Sequence, residues 1–331
     1  MSETFRALRL DEVDGKTEAR IVHMTEAELP PGEVLVDVAW STVNYKDALA
    51  ITGAGKIIRK FPFVPGIDFA GTVIASDSSR FKAGDEVLLT GWGVGERHWG
   101  GLAERARIKA EWLLPRPDGL SLQQTMAIGT AGFTAMLAVL ALEEQGITPD
   151  RGEIVVTGAA GGVGSIAIPL LAKRGFKVVA SSGRPELAGY LQELGASEVV
   201  DRSVFSTGSK APLESARWAG AIDAVGGDTL VNLLKAMQYH GVVAACGLAG
   251  SASMNGSVFP FILRGVRLIG IDSVQYPADR RTAVWARLAT DLDPALLERM
   301  VTPVALSEVP GLAPDFLRGA VRGRLVVDTY R

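Results

Sequence analysis

The sequence predicts an α/β protein of two domains, a β-rich first part followed by a doubly wound parallel sheet. Three observations predict this fold class. The chain has 331 residues, which suits two domains of about 100–200 residues each. Its first third consists of apolar or alternating segments separated by glycine and proline. From Glu153 onward, short apolar strands alternate with helical segments.

The composition excludes several classes of protein. Hydrophobic residues make up 47% of the chain and charged residues 21%, which is typical of a globular rather than a disordered protein. A net charge of −3, with Lys and Arg scattered, offers no patch for nucleic acid or an anionic membrane surface. The single cysteine, Cys246, excludes an internal disulfide and a multi-cysteine zinc site. Its apolar neighbours predict a buried, unreactive thiol.

Two segments bear on membranes and localisation. Residues 1–16 are charged and have no apolar core, so they do not predict a signal peptide. Residues 154–172 carry no charge, but four glycines and a proline interrupt them, which favours a strand, a turn and a helix over a membrane span. We therefore expect no membrane partner and a cytoplasmic location.

The predicted elements of the first part are mostly strands. They indicate an irregular barrel or sandwich and cover residues 33–40, 69–75, 85–91 and 105–114. Residues 125–146 then form a long helical stretch that ends in two glutamates and Gly146.

The second part predicts strands and helices in alternation, the pattern of a parallel sheet. The predicted strands are 153–158, 177–182, 198–201, 219–225, 242–247 and 267–274. The predicted helices run from the glycine turn to Arg174, over 185–195 and over 228–241.

The run TGAAGGVGS at 157–165 predicts a dinucleotide-binding turn, since it follows a strand and opens a helix inside a βαβ unit. Gly158 permits the tight turn, Gly161 and Gly162 let backbone N–H groups reach a pyrophosphate, and Gly164 lets the helix pack closely. Ala160 and Val163 complete the candidate turn. The alternative is a glycine-rich connection that binds no ligand.

The end of the second strand indicates which dinucleotide binds. An NAD site has an Asp or Glu there, whereas this chain has Ser181, Ser182, Gly183 and Arg184. Two hydroxyls and a guanidinium suit a 2′-phosphate, so the predicted cofactor is NADPH. The alternative is that Arg184 faces solvent.

Longer stretches resemble the medium-chain dehydrogenase/reductase superfamily and, within it, the acrylyl-CoA reductase (NADPH) group. The matching stretches are VNYKDALAITGAGKIIRKFPFVPGIDFAGTV, EVLLTGWGVGERHWGGLAE, IGTAGFTAML, GEIVVTGAAGGVGS, WAGAIDAVGG, VAACGLAGS and FPFILRGVRLIGIDSV. The resemblance implies a GroES-like catalytic domain over 1–125 and 275–331, and a Rossmann NADPH-binding domain over 126–274.

The chain departs from the zinc-dependent members of that superfamily. They have Gly-His-Glu where this chain has Gly66-Ile67-Asp68, so a hydrocarbon replaces the imidazole ligand. The four-cysteine zinc lobe is missing, and His23, His98 and His240 do not form a ligand-spaced cluster. We therefore expect no metal and a reaction that needs no Lewis acid.

The resemblance implies reduction of the C=C bond of acryloyl-CoA to propionyl-CoA, with a hydride delivered to the β-carbon. Asn44 and Tyr45 are the candidate catalytic residues, and Tyr45 is also a candidate contact of the cofactor. The alternative is that Tyr45 only packs. Asp47 and Asp68 are expected to form hydrogen bonds rather than to act as bases.

The resemblance also implies further contacts. The expected lining of the cofactor cleft includes Arg202, Leu248, Ile271 and Ser273. Cations for the phosphates of coenzyme A are expected from Arg97, Arg318, Arg322 and Arg324, although a solvated face explains the last three almost as well. Trp92 and Trp99 are candidates to cover the substrate, with buried packing as the alternative.

Two other functions stay open, a quinone or enone reductase that uses NADPH and a non-catalytic NADPH-binding protein. The resemblance implies a homodimer or a higher homo-oligomer. The apolar strand RLIGI, 267–271, is compatible with pairing between the sheet edges of two copies.

Overall fold

The computed structural model describes residues 4–206 and 210–331. The chain divides into two compact units: unit 1 comprises Met1–Thr130, Ser273–Thr290 and Leu297–Arg331, and unit 2 comprises Ala131–Asp272 and Asp291–Leu296. The domain limits predicted from sequence, 1–125 with 275–331 and 126–274, remain a prediction.

The described residues form fifteen strands and ten helices. The strands are β1 (Thr4–Val13), β2 (Lys16–Thr25), β3 (Val34–Val43), β4 (Asp68–Ser76), β5 (Glu86–Thr90), β6 (Arg105–Ile108), β7 (Leu114–Pro115), β8 (Glu153–Val156), β9 (Val178–Ser182), β10 (Glu198–Asp201), β11 (Trp218–Asp223), β12 (Met237–Ala245), β13 (Arg267–Gly270), β14 (Val301–Ala305) and β15 (Arg324–Asp328). The helices are α1 (Tyr45–Thr52), α2 (Leu122–Glu144), α3 (Gly162–Lys173), α4 (Ala188–Glu193), α5 (Ser203–Ser206), α6 (Gly227–Lys235), α7 (Phe259–Arg264), α8 (Ala278–Asp291), α9 (Pro294–Met300) and α10 (Val309–Leu317).

The sheet of unit 2 has six parallel strands in the order β10-β9-β8-β11-β12-β13. The central strands β8, β9 and β11 are apolar and almost entirely buried, as expected when both faces of a parallel sheet are covered. The chain order reverses between β8 and β11, the switch point at which such sheets bind ligands. The predicted doubly wound sheet is confirmed.

Unit 1 contains an antiparallel hairpin, β1–β2, and a seven-stranded sheet in the order β14-β15-β3-β4-β5-β7, with β6 also paired to β3. Asp14 and Gly15 form the turn of the hairpin with positive φ angles of 49° and 73°. A two-residue turn with these angles matches the right-handed twist of the two strands. The late strand β15 lies antiparallel to β3, with Leu325 opposite Val43. The predicted β-rich part is confirmed, and residues close to the C-terminus lie beside the start of α1.

Several predicted elements are wrong in extent, and the strand predicted over 267–274, for example, ends at Gly270. Residues 105–114 form two strands, β6 and β7, separated by a 3-10 turn over Ala110–Trp112, rather than one strand. The helix predicted over 228–241 ends at Lys235, because Met237 pairs with Trp218 and begins β12. Tertiary pairing here overrides the helical preference of the local sequence.

The long helix α2 is interrupted at Gly129, whose φ of 51° and ψ of −160° are not helical. This helix is long and apolar enough to cross a membrane by length and composition, but 83% of its apolar window is buried within the protein, as in a core helix. Residues 154–172, by contrast, form β8, a turn and most of α3, as predicted.

Candidate functional site

The glycine turn of unit 2 has the predicted geometry. Gly158 has a positive φ of 60°, and its carbonyl accepts a hydrogen bond from Gly161 N–H at 2.9 Å. A Cβ at Gly164 would lie 2.6 Å from Cα of Ala159, so only glycine permits this approach of α3. The first N–H groups of a helix have no partner within it, and they favour an anion together with the helix dipole. The turn can therefore hold a phosphate.

The end of β9 places the residues predicted to select the dinucleotide next to Arg202. The N–H of Arg184 donates to the Ser182 hydroxyl at 3.1 Å, and the N–H of Arg202 donates to the Ser182 carbonyl at 3.0 Å. A Cβ at Gly183 would overlap the Arg202 side chain in its observed position, so Gly183 leaves room for it. Asp201, the nearby acid, accepts from Ser203 N–H at 2.8 Å. Two guanidinium groups thus follow adjacent strands, an arrangement that suits a 2′-phosphate.

Two other predicted cofactor residues lie at the same edge of this sheet, because parallel strands all end there. Leu248 follows β12 and is exposed rather than packed in the core. The N–H of Ile271, just after β13, donates to Ala245 O at 3.0 Å. Ser273 belongs to unit 1, where it is buried and its carbonyl accepts from Arg281 at 2.9 Å.

A buried acid at the switch point was not predicted. Asp223, at the end of β11, accepts from the Thr157 hydroxyl at 2.6 Å and from Gly226 N–H at 2.8 Å. Burial raises the pKa of Asp223. Burial also raises the pKa of the neighbouring Cys246 thiol to about 12, in agreement with the predicted unreactive thiol. The carboxylate ties together the turns that follow β8 and β11.

In unit 1, Asn44 and Tyr45 lie at the start of α1 but differ in their contacts. The Asn44 amide donates from Nδ2 to Asp68 Oδ2 at 2.9 Å and accepts at Oδ1 from Arg324 at 3.1 Å. Asn44 is therefore buried within a polar cluster, and its role as a donor to substrate stays a prediction. Tyr45 is half-buried, and no described residue forms a hydrogen bond with its hydroxyl.

Asp47 explains how the start of α1 is held. Its Oδ2 accepts from Asn44 N–H at 2.8 Å, and its Oδ1 accepts from the N–H groups of Gly66 and Ile67 at 3.1 and 3.0 Å. Burial raises the pKa of Asp47 to about 7 although these hydrogen bonds favour its ionised form. An Asn followed three residues later by an acid is a helix-start signal, so the sequence could have revealed this role.

Ile67 occupies the position where the zinc-dependent relatives have histidine. It is buried, and its N–H is held by the Asp47 carboxylate. Among residues 4–206 and 210–331, no group of three or more His, Cys, Asp or Glu side chains is placed to hold a metal ion.

The structure does not support the predicted contact of Arg324 with coenzyme A. Arg324 is 2% exposed and donates to Ala127 O, Asn44 Oδ1 and Thr42 Oγ1, at 3.0–3.1 Å. Burial raises the pKa of Asp68, and the positive charge of Arg324 offsets only part of that rise. The side chain points inward because β15 is an inner strand of its sheet, which the RGAVRGR pattern does not reveal.

Asp68 joins this cluster to the interruption of α2. It accepts from Thr130 N–H at 2.8 Å and from the Thr130 hydroxyl. A Cβ at Gly129 would lie 2.7 Å from Asp68 Oδ2 and 2.8 Å from an Arg324 nitrogen. Gly129 is thus required by its φ angle and by its charged neighbours.

The other predicted cations for coenzyme A are exposed. Arg318 pairs with Asp315, Arg322 follows α10 at the surface, and Arg97 lies in the glycine-rich segment 91–101. Their role in binding coenzyme A stays a prediction.

The two tryptophans of segment 91–101 differ in their surroundings. Trp99 packs against two hydrophobic clusters of unit 1, which agrees with the alternative of packing rather than covering the substrate. Trp92 has a positive φ of 60°, and its ring lies 4.6 Å from the guanidinium carbon of the buried Arg281. Arg281 also donates to Thr90 O at 2.9 Å and Val274 O at 3.0 Å, so it joins segment 91–101 to the residues around Ser273. No motif indicated this arginine.

Two protein-family models match the chain. The model of the alcohol dehydrogenase GroES-like domain matches residues 30–118. The model of the zinc-binding dehydrogenase matches residues 162–290.

Individual proteins match nearly the whole chain. Acrylyl-CoA reductase AcuI of Ruegeria pomeroyi is 54% identical over 318 residues, which cover 96% of each chain. The crystal structure of Escherichia coli K-12 YhdH with bound NADPH has a TM-score of 0.95 at 55% identity, covering 97% of this chain and 99% of that one. The structure of Bacillus subtilis yhfP with NAD bound has a TM-score of 0.95 at 46% identity, covering 99% and 100%.

Proposed function

Because this chain belongs to the acrylyl-CoA reductase family of the medium-chain dehydrogenase/reductase superfamily, we propose that it reduces acryloyl-CoA to propionyl-CoA with NADPH. The observation that carries the proposal is the 54% identity with acrylyl-CoA reductase AcuI, which extends over 96% of both chains. The zinc in the second family model's name is not carried over, because Ile67 stands where a ligand would be needed.

The residues at the carboxyl edge of the unit 2 sheet suit NADPH. At Gly164 the missing Cβ lets α3 begin close to the turn, and at Gly183 it leaves room for the Arg202 side chain. We assign the pyrophosphate to the turn Gly158–Gly164 and the 2′-phosphate to Ser181, Ser182, Arg184 and Arg202. The bound cofactor supplies the hydride.

The protein must orient the acryloyl group and stabilise the negative charge that collects on the thioester oxygen. Tyr45 is suited to this role. It is half-buried, and it is the first residue of α1, whose start is held by hydrogen bonds. We assign binding of the phosphates of coenzyme A to Arg97, Arg318 and Arg322.

Two further proposals concern assembly and location. β13 is an edge strand of its sheet, and α7 beside it in sequence carries Ile262 and Leu263, 68% and 53% exposed. An unpaired edge flanked by apolar side chains supports a homodimer or a higher homo-oligomer. Light scattering tests this, since a mass near 35.0 kDa would contradict it. We also propose a cytoplasmic location, which cell fractionation tests.

The test of function is NADPH oxidation at about 340 nm, the absorbance of the reduced nicotinamide, with acryloyl-CoA, free acrylate, crotonyl-CoA and a benzoquinone, each repeated with NADH. We expect fast turnover with acryloyl-CoA and NADPH. Turnover mainly with benzoquinone would support the quinone reductase instead. Saturable NADPH binding without turnover of any acceptor would support the non-catalytic protein.

A further inference from the structure

Lys46 follows Tyr45 directly and forms an ion pair with Glu96 of segment 91–101. Lys46 Nζ lies 2.8 Å from Glu96 Oε1, and the two side chains are 33% and 23% exposed. An ammonium group has three N–H donors, and Glu96 takes one of them. Among residues 4–206 and 210–331, no second acceptor bonds to this ammonium, so the remaining donors are open to a further partner.

The position of Lys46 is electrostatically unfavourable for the helix. Lys46 is the second residue of α1, and a helix N-terminus carries a partial positive charge that disfavours cations. It is also half-buried, which adds a cost of desolvation. The helix itself therefore does not favour an ammonium at this position, where the ion pair with Glu96 holds it.

Both partners are attached to backbone that cannot move freely. The start of α1 is fixed by the hydrogen bonds of Asp47 described above. Segment 91–101 is held from within by Arg97 N–H, which donates to Gly93 O at 2.8 Å, and at its base by Gly100 N–H, which donates to Val64 O at 2.7 Å. A Cβ at Gly95 would lie 2.8 Å from the backbone of Gly66, so segment 91–101 packs closely on residues 66–67, whose N–H groups Asp47 accepts. The ammonium is thus preorganised, as electrostatic catalysis requires.

The Tyr45 hydroxyl offers this reaction a neutral donor, and a cation stabilises the developing negative charge more strongly. When hydride reaches the β-carbon, the π pair of the C=C bond moves into the bond between the α-carbon and the carbonyl carbon, and the carbonyl π pair moves onto oxygen. The α-carbon then takes a proton from water, which leaves hydroxide, and the carbonyl forms again. The amide of Asn44 and the guanidinium of Arg324 are both engaged inside the buried cluster.

We propose that the Lys46 ammonium, oriented by Glu96, stabilises the negative charge on the thioester oxygen during reduction. Lys46 is then a catalytic residue that acts through its charge and its N–H groups, and Glu96 is a positioning residue. This inference rests on the proposed function, because it concerns the enolate that the reduction of an enoyl thioester forms.

The first test compares Lys46→Met with Lys177→Met. Lys177 is a matched control, because its Nζ also forms an ion pair, 2.6 Å from Glu153 Oε1. Lys177 directly precedes β9 and therefore lies at the opposite end of the sheet from the carboxyl edge. Lys46→Met is expected to lower kcat with acryloyl-CoA about 100-fold, the effect of removing one donor to a developing oxyanion. Its Kd for NADPH and its inhibition by propionyl-CoA should match those of the wild type, as should all properties of Lys177→Met. An unchanged kcat in Lys46→Met would overturn the proposal.

The second test separates catalysis from a structural tie. The double variant K46E/E96K restores an ion pair between the same positions but moves the ammonium from α1 to segment 91–101. We expect its kcat to stay as low as that of Lys46→Met, whereas recovery to the wild-type kcat would show that the pair only ties the segments together and would overturn the proposal. A wild-type protein that does not reduce acryloyl-CoA would refute the proposed function itself, a result distinct from both.

Discussion

The carboxyl edge of the unit 2 sheet and the start of α1 in unit 1 hold charged groups in opposite ways. At the sheet edge, Arg202 is exposed and the first amides of α3 have no helical partner. At the start of α1, Asp47, Asp68 and Arg324 are almost completely buried and saturated by hydrogen bonds. The first region can receive a charged ligand, whereas the second stabilises a backbone shape. A charged residue near a site therefore shows its role by its partners rather than by its charge.

The largest expected effect concerns the buried region. Arg324→Leu leaves the buried Asp68 without its cation, and the free energy of unfolding should fall by about 3–5 kcal/mol. Chemical denaturation measures this, with Arg322→Leu, an exposed neighbour in sequence, as the control that should unfold like the wild type. A stable Arg324→Leu with a raised KM for acryloyl-CoA would instead support the coenzyme A-binding role predicted for this residue.

The exposed region should respond in ligand binding rather than in stability. Arg184→Ala removes a charged donor to the 2′-phosphate, worth about 1.5–3 kcal/mol, or roughly ten- to a hundred-fold in the KM for NADPH. The KM for NADH, which has no 2′-phosphate, should change little, and steady-state kinetics with both cofactors measures the contrast. An equal rise for both would remove the 2′-phosphate role from Arg184.

Gly164 tests whether shape also matters at the sheet edge. Gly164→Ala places a Cβ 2.6 Å from Cα of Ala159. This overlap should cost about 1–3 kcal/mol of stability by displacing α3, and NADPH affinity should fall with it. Gly189→Ala in α4 is the matched control, because nothing lies within 4 Å of its Cβ. Thermal unfolding and NADPH titration of both variants measure the difference, and equal behaviour would show that α3 can move without affecting the turn.

The two regions also differ in how far the sequence predicts them. The sequence predicts the tight turn at Gly158 and the close approach of the helix at Gly164, because these follow from residues within one βαβ unit. The cluster around Asn44 was not predicted, since Arg324 reaches it from 280 positions away through the pairing of β15 with β3. Side chains buried by such distant pairing leave no local pattern. For the same reason the local sequence does not distinguish the buried Arg324 from its exposed neighbours Arg318 and Arg322.

The smallest expected effect is that of removing metal. Dialysis against EDTA should leave kcat unchanged. The buried Ile67 side chain has no atom that can bind a metal, and the Asp47 carboxylate already accepts the N–H groups of Gly66 and Ile67. Metal analysis of the untreated protein measures the same property directly. About one zinc ion per chain together with loss of kcat in EDTA would contradict the prediction. It would also mean that the buried region of unit 1 binds a ligand in addition to stabilising the backbone, and the contrast with the sheet edge of unit 2 would no longer hold.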